Sequence, residues 1–266
     1  MELGLAGKVV LVTGGSGSIG AAMAEAFAAE GAHVALTFRD NAQRAEELAR
    51  VIGERGGRAM VVKYDLADPA AIRSCVSAVL DEWGRLDVLV LSASAQDGTR
   101  TAPVNFEDVP PEEWSPLLRA DVEGSFHTVQ AVLPAMRRQA WGRIILISAN
   151  IVARGAPGDE AFVSSKMALH GLGRTLATEL APDGILVNVV APGGHGEQGL
   201  PAPLPRGEAG EVRRAGRRTD QAHAQPGPSR RQGVDTRGRR QHRAVPGVRG
   251  QRERQRSGDP RGRGGH

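Results

Sequence analysis

The chain has 266 residues, of which 40% are hydrophobic, and a formal net charge of +4. That length is enough to bury a single large core, and the lone cysteine, Cys75, excludes an internal disulfide and a multi-cysteine zinc site, so no metal centre is expected. No apolar run is long enough for a membrane span and the first eight residues are not a secretory leader, so a soluble, cytoplasmic protein with no membrane partner is expected.

In chain order, residues 9–12 read as a short apolar strand that leads into a glycine-rich turn over 13–20 and a helix over 19–30. Gly31 and a strand over 33–37 complete a strand-helix-strand unit. A helix follows over about 41–54, then a third strand over 59–64. The next helix is expected to start at Asp68, an acidic cap before Pro69, and to run to about Trp83. Residues 86–91 are almost wholly apolar, the pattern of a parallel strand covered on both faces. After an irregular stretch come helices over about 112–118 and 121–139, a strand over 143–148, a helix over about 159–180 and a sixth strand over 186–190. This alternation predicts an α/β fold with a doubly wound parallel sheet, its function lying beyond the carboxyl ends of the strands. Cys75 falls within an amphipathic helix, where burial is expected rather than catalysis.

The run Thr13-Gly14-Gly15-Ser16-Gly17-Ser18-Ile19-Gly20 joins a strand to a helix. Glycines there let a backbone approach a pyrophosphate, and the helix amino terminus stabilises its charge. Together with Asp65 after the third strand, the apolar 86–90 run, Lys166, and the segment from Asn188 to Pro192-Gly193, it resembles the short-chain dehydrogenase/reductase family over about residues 4–193. The resemblance implies a Rossmann-like sheet and a dinucleotide site. Gly14, Ser16, Ser18, Ile19 and Gly20 would hold the pyrophosphate, Asp65 and Leu66 would border adenine, Lys166 would hold ribose, and Pro192 and Gly193 would border nicotinamide. Ser18 replaces the family's middle glycine, so its Cβ is expected to crowd the helix start or the cofactor while its hydroxyl offers a phosphate contact. Arg39, just after the second strand, suits a 2′-phosphate and points to NADP.

The family's reaction set is Asn-Ser-Tyr-Lys, in which tyrosine exchanges a proton with the substrate oxygen. Here the tyrosine position is Phe162, the serine position is Ala149 and the asparagine position is Asp121; only Lys166 remains. Ser148, beside Ala149, is a weak substitute because neighbouring strand residues point to opposite faces. Leu91-Ser92-Ala93-Ser94 stands where relatives carry Asn-Asn-Ala-Gly, which is expected to remove polar support and loop flexibility.

Residues 1–193 carry 17 basic and 23 acidic residues, whereas 194–266 carry 17 arginines, no lysine and 7 acidic residues. The latter segment is rich in Gly and Pro, lacks aromatics, and includes few large aliphatics, so disorder is the expectation. Its composition also fits GC-rich DNA read in a shifted frame; one continuous reading frame on resequencing, with no better alternative, would remove that idea. No nucleic-acid motif accompanies the arginines, so specific nucleic-acid binding is not expected. The family's final strand is missing, and His195 at the start of the segment matches no family feature.

The resemblance, to 3-oxoacyl-carrier-protein reductases in particular, implies a subunit with weak or no catalysis that assembles with an active NADP-dependent paralogue. That assembly would use the two long helices and act on a β-hydroxy- or β-ketoacyl thioester, with a carrier-protein-tethered substrate, as in aminocoumarin-type antibiotic pathways. The other readings are an active oxidoreductase that moves its proton through water, Ser148, Ser164 or the substrate, and a nonfunctional truncated product.

Overall fold

A computed structural model describes residues 3–96 and 105–193. Six parallel strands form one sheet in the order β3-β2-β1-β4-β5-β6. They are β1 Val9–Thr13, β2 His33–Phe38, β3 Arg58–Lys63, β4 Val88–Leu91, β5 Gly142–Ile147 and β6 Ile185–Val190. The helices are α1 Ser18–Ala29, α2 Ala42–Glu54, α3 Pro69–Trp83, α4 Pro111–Leu118, α5 Gly124–Gln139 and α6 Glu160–Leu180. This is the Rossmann-like doubly wound α/β fold, with β1 and β4 at the centre, where the strand order reverses. Every residue of β1 and β4 is buried, as their unbroken apolar sequences require.

Two apolar layers sandwich the sheet. On one face Leu11, Leu89, Ile144 and Leu146 pack with Ile72 and Val79 of α3, Val132 and Met136 of α5 and Leu169 of α6. On the other, Val10, Val12, Val34 and Leu36 pack with Ala24 of α1 and Ile52 of α2. Helix ends follow local chemistry. The Asn41 side chain accepts from Arg44 N at 3.1 Å and that of Asp68 from Ala70 N at 2.7 Å, each satisfying an unpaired donor of a first turn. Pro69 then occupies the first helical position, and Gly84, at φ 68°, ends α3 in a left-handed turn.

Two expected elements differ from those observed by two residues or more. Strand β4 begins at Val88, although Asp87 N still donates to Val9 O and Asp87 O accepts from Arg143 N, both at 2.9 Å. The helix expected over 121–139 begins at Gly124, preceded by one π-helical turn over Arg119–Glu123. No helix among the described residues is long and apolar enough to cross a membrane, and the same residues hold no cluster of metal-ligating side chains.

Candidate functional site

The carboxyl ends of β1–β4 open on a cavity of about 580 Å³. The turn after β1 forms its floor. Gly14 takes φ 67°, and a Cβ there would come within 3.0 Å of Ala93 Cα. A Cβ on Gly20 would collide with Gly14 O, so α1 lies on the turn only if both positions are glycine. The result is a backbone cradle at a helix amino terminus, which fits a pyrophosphate. Ser18 does not crowd this arrangement. It is the first residue of α1, is exposed, and lines the cavity with Ser16, Ile19 and Gly20.

Threonines hold the cradle in place. Thr37 Oγ1 accepts from Gly14 N at 3.0 Å, and Thr13 Oγ1 accepts from Ser92 N and Ala93 N at 3.0 and 3.1 Å. The segment after β4 is therefore well supported, contrary to the expectation from its lost asparagines. Arg39, Asp40 and Asn41 line one end of the cavity, where Arg39 Nε lies 2.5 Å from Asp40 Oδ2; both side chains are exposed. Asp65 and Leu66 line the wall, and Asp65 Oδ1 accepts from Ala67 N at 2.9 Å.

Asp121 lies within the π turn and is buried. Its Oδ2 accepts from Ser94 Oγ at 2.8 Å and lies 3.3 Å from Lys166 Nζ, and its Oδ1 accepts from Ala95 N at 2.7 Å. The Ser165 hydroxyl lies 3.2 Å from Oδ2 and 2.9 Å from Phe162 O, and its one proton serves one of these acceptors at a time. Side-chain exposure is 6% for Lys166 and 1% for Asp121. Lys166 is thus not a solvent-facing helix charge but half of a buried ion pair. Its ammonium lies 5.6 Å from the centre of the Phe162 ring.

Ser148 is not available to the cavity. Its Oγ donates to Lys166 O at 3.0 Å and lies 2.9 Å from His170 Nε2, both on α6. Ala149 follows in extended conformation, and Asn150 N donates to Pro192 O at 2.9 Å. Pro192 therefore lies against the segment after β5. His195 lies outside the described residues. The chain's only tyrosine, Tyr64, borders the cavity but is buried, its hydroxyl 2.7 Å from Thr128 Oγ1. Burial pushes its phenol above the ordinary value, outweighing the lowering by the Thr128 bond.

The short chain dehydrogenase family model matches residues 8–198. The chain belongs to the short-chain dehydrogenase family. It is 33% identical over 186 residues to the 3-oxoacyl-[acyl-carrier-protein] reductase FabG of Staphylococcus aureus, covering 70% of this chain and 74% of that one. It is also 37% identical over 186 residues to the short-chain reductase protein NovJ of Streptomyces niveus, covering 70% and 68%. Among solved structures it resembles an NAD+-bound xylitol dehydrogenase, with a TM-score of 0.67, 34% identity and 73% of each chain covered. The chain is thus a reductase-like member of an oxidoreductase family whose fold binds a nicotinamide cofactor.

Sequence reasoning did not find Ser94, Ala95 and Ser165 as the partners of Asp121. The signal was a pair of departures from the family pattern, a serine for glycine at 94 and an acid for asparagine at 121, which the fold brings together.

Proposed function

We propose that this chain is a reductase-like subunit that holds NADP(H), has weak or no turnover alone, and assembles with an active NADP-dependent paralogue acting on a β-hydroxy- or β-ketoacyl thioester. The reading rests on one observation: at the family's tyrosine position stands the phenyl ring of Phe162, its centre 5.6 Å from the ammonium of Lys166, which is buried against Asp121. A bound nicotinamide supplies hydride, but the oxygen of a reduced carbonyl also needs a proton, and a phenyl ring has none to give. Ala149 provides no hydroxyl to orient that oxygen. Ser148 is bonded into α6 and Ser164 is exposed, so neither favours an independent proton route.

NADP is favoured over NAD by Arg39, whose exposed pair with Asp40 is weak enough to exchange for a phosphate. Similarity to the acyl-carrier-protein reductase supports an acyl thioester, carried on a carrier protein, as the partner's substrate, and the similarity to a short-chain reductase protein of Streptomyces is in keeping with the antibiotic setting that the resemblance implies. Phe126 on α5 and Met167 on α6 are about half exposed, apolar surface suited to packing against a second subunit.

The purified chain should give no sustained NADPH-dependent reduction of a β-ketoacyl thioester, yet raise the activity of a co-expressed reductase that carries the family tyrosine. Restoring both missing hydroxyls, with Phe162→Tyr and Ala149→Ser together, should raise turnover by the chain alone roughly 100-fold or more. Steady turnover by the unaltered chain would overturn the proposal.

A further inference from the structure

Asp121 places a carboxyl group where relatives commonly have an amide, and this corner is organised around its two oxygens. The carboxylate joins two elements that approach only in the folded chain. Ser94 and Ala95 belong to the segment after β4, and Lys166 belongs to α6. Three donors from two elements on one buried anion make a fixed junction, since charge-assisted bonds are shorter and stronger than neutral ones. Ser94 is itself exposed and lines the cavity, as do its neighbours Ala93, Ala95 and Gln96. The junction thus ends in a cavity-wall hydroxyl whose position is set by Asp121.

We propose that Asp121 is a positioning residue for dinucleotide binding, holding the segment after β4 through Ser94 and Ala95 while it holds the Lys166 ammonium. In this arrangement the ammonium is compensated by a carboxylate, and the corner serves to hold a nucleotide rather than to deliver a proton. Glycine at 94 would leave the carboxylate without its cavity-side donor. Asparagine at 121 would replace the ammonium's charged partner with a neutral amide oxygen. The two departures from the family pattern meet at one oxygen, Asp121 Oδ2, which Lys166 also faces. The inference rests on the nucleotide-holding reading above.

The test is NADPH titration, followed by nicotinamide fluorescence, alongside thermal melting of the same samples. Ser94→Ala should weaken NADPH binding roughly tenfold, the loss of one hydrogen bond to a charged group, with a small fall in melting temperature because the buried Asp121 carboxylate loses one donor. Ser94→Thr keeps the hydroxyl and should restore binding. In an Asp121→Asn background, Ser94→Ala should cost less than it does alone, because the two act through one contact. Equal NADPH affinity in the unaltered chain and Ser94→Ala would overturn the inference and leave the nucleotide-holding reading standing. Fully additive losses would overturn the link between Asp121 and Ser94. No NADPH binding by the unaltered chain would overturn both proposals.

Discussion

Asp87 shows how one side chain at the amino ends of the strands joins segments distant in sequence. It is fully buried and accepts from Val9 N at 2.9 Å and from Arg85 at 2.7 Å through both oxygens, with Lys8 Nζ at 3.5 Å. Burial alone would raise its pKa, but the Arg85 and Val9 hydrogen bonds and the charges of Arg85 and Lys8 outweigh it, so the net shift is downward. A carboxyl with a depressed folded-state pKa adds stability that is present above its unfolded value, about 4, and is lost as pH falls through the folded one. Asp87→Asn should therefore lower unfolding free energy by about 2 kcal/mol at neutral pH, allowing for the partial exposure of Arg85. The gap from the unaltered chain should narrow on acidification below about pH 4. Denaturant unfolding across pH measures this, and a gap that widens in acid would refute it. None of this was legible locally: Asp87 in sequence is one polar residue beside an apolar run, and its partner Val9 lies on β1.

Elements were more legible than contacts. The apolar runs of β1 and β4 predict buried parallel strands because a strand covered on both faces needs no alternation. The Asp68-Pro69 start of α3 is readable because cap and first-turn chemistry depend on adjacent residues alone. The π turn at Arg119–Glu123 was not readable, since apolar periodicity does not reveal one extra residue in a helical turn. That turn matters for the site, because it carries Asp121. Immediately after it, α5 starts at Gly124, where any Cβ would run into Leu66 O and the Leu66 side chain. Leu66 also lines the cavity, so this close approach links α5 to the cleft wall. Gly124→Ala should cost about 1–3 kcal/mol of stability through overpacking and should also weaken NADPH binding. A variant with both properties unchanged would show that the junction yields without consequence.

At the scale of the whole molecule, the two edges of the sheet are protected unequally. The β3 edge begins and ends with charged, exposed residues, Arg58 and Lys63, which discourage pairing with another chain. The β6 edge has no charge along Ile185–Val190, and Leu186 and Val190 are 47% and 46% exposed. Among the described residues α6 packs on the opposite face of β6, through Val187 and Val189, and no element covers Leu186 and Val190. Beyond Gly193 the sequence offers no clear match to the family's final strand, which made an open edge an expectation, whereas the lack of guarding charge becomes meaningful only once β6 is outermost among the described strands. An uncharged strand that is outermost among the described residues and carries an apolar face promotes association by edge pairing and by apolar burial together. Sedimentation of the purified chain over a range of concentrations should show self-association that falls when Leu186→Lys places a charge on that face. Because the side chain is already half exposed, the substitution should leave folding intact, with melting temperature as the control. If association were unchanged by Leu186→Lys but abolished by Phe126→Lys on α5, subunit contact would run through the long helices and the β6 edge would play no part in it.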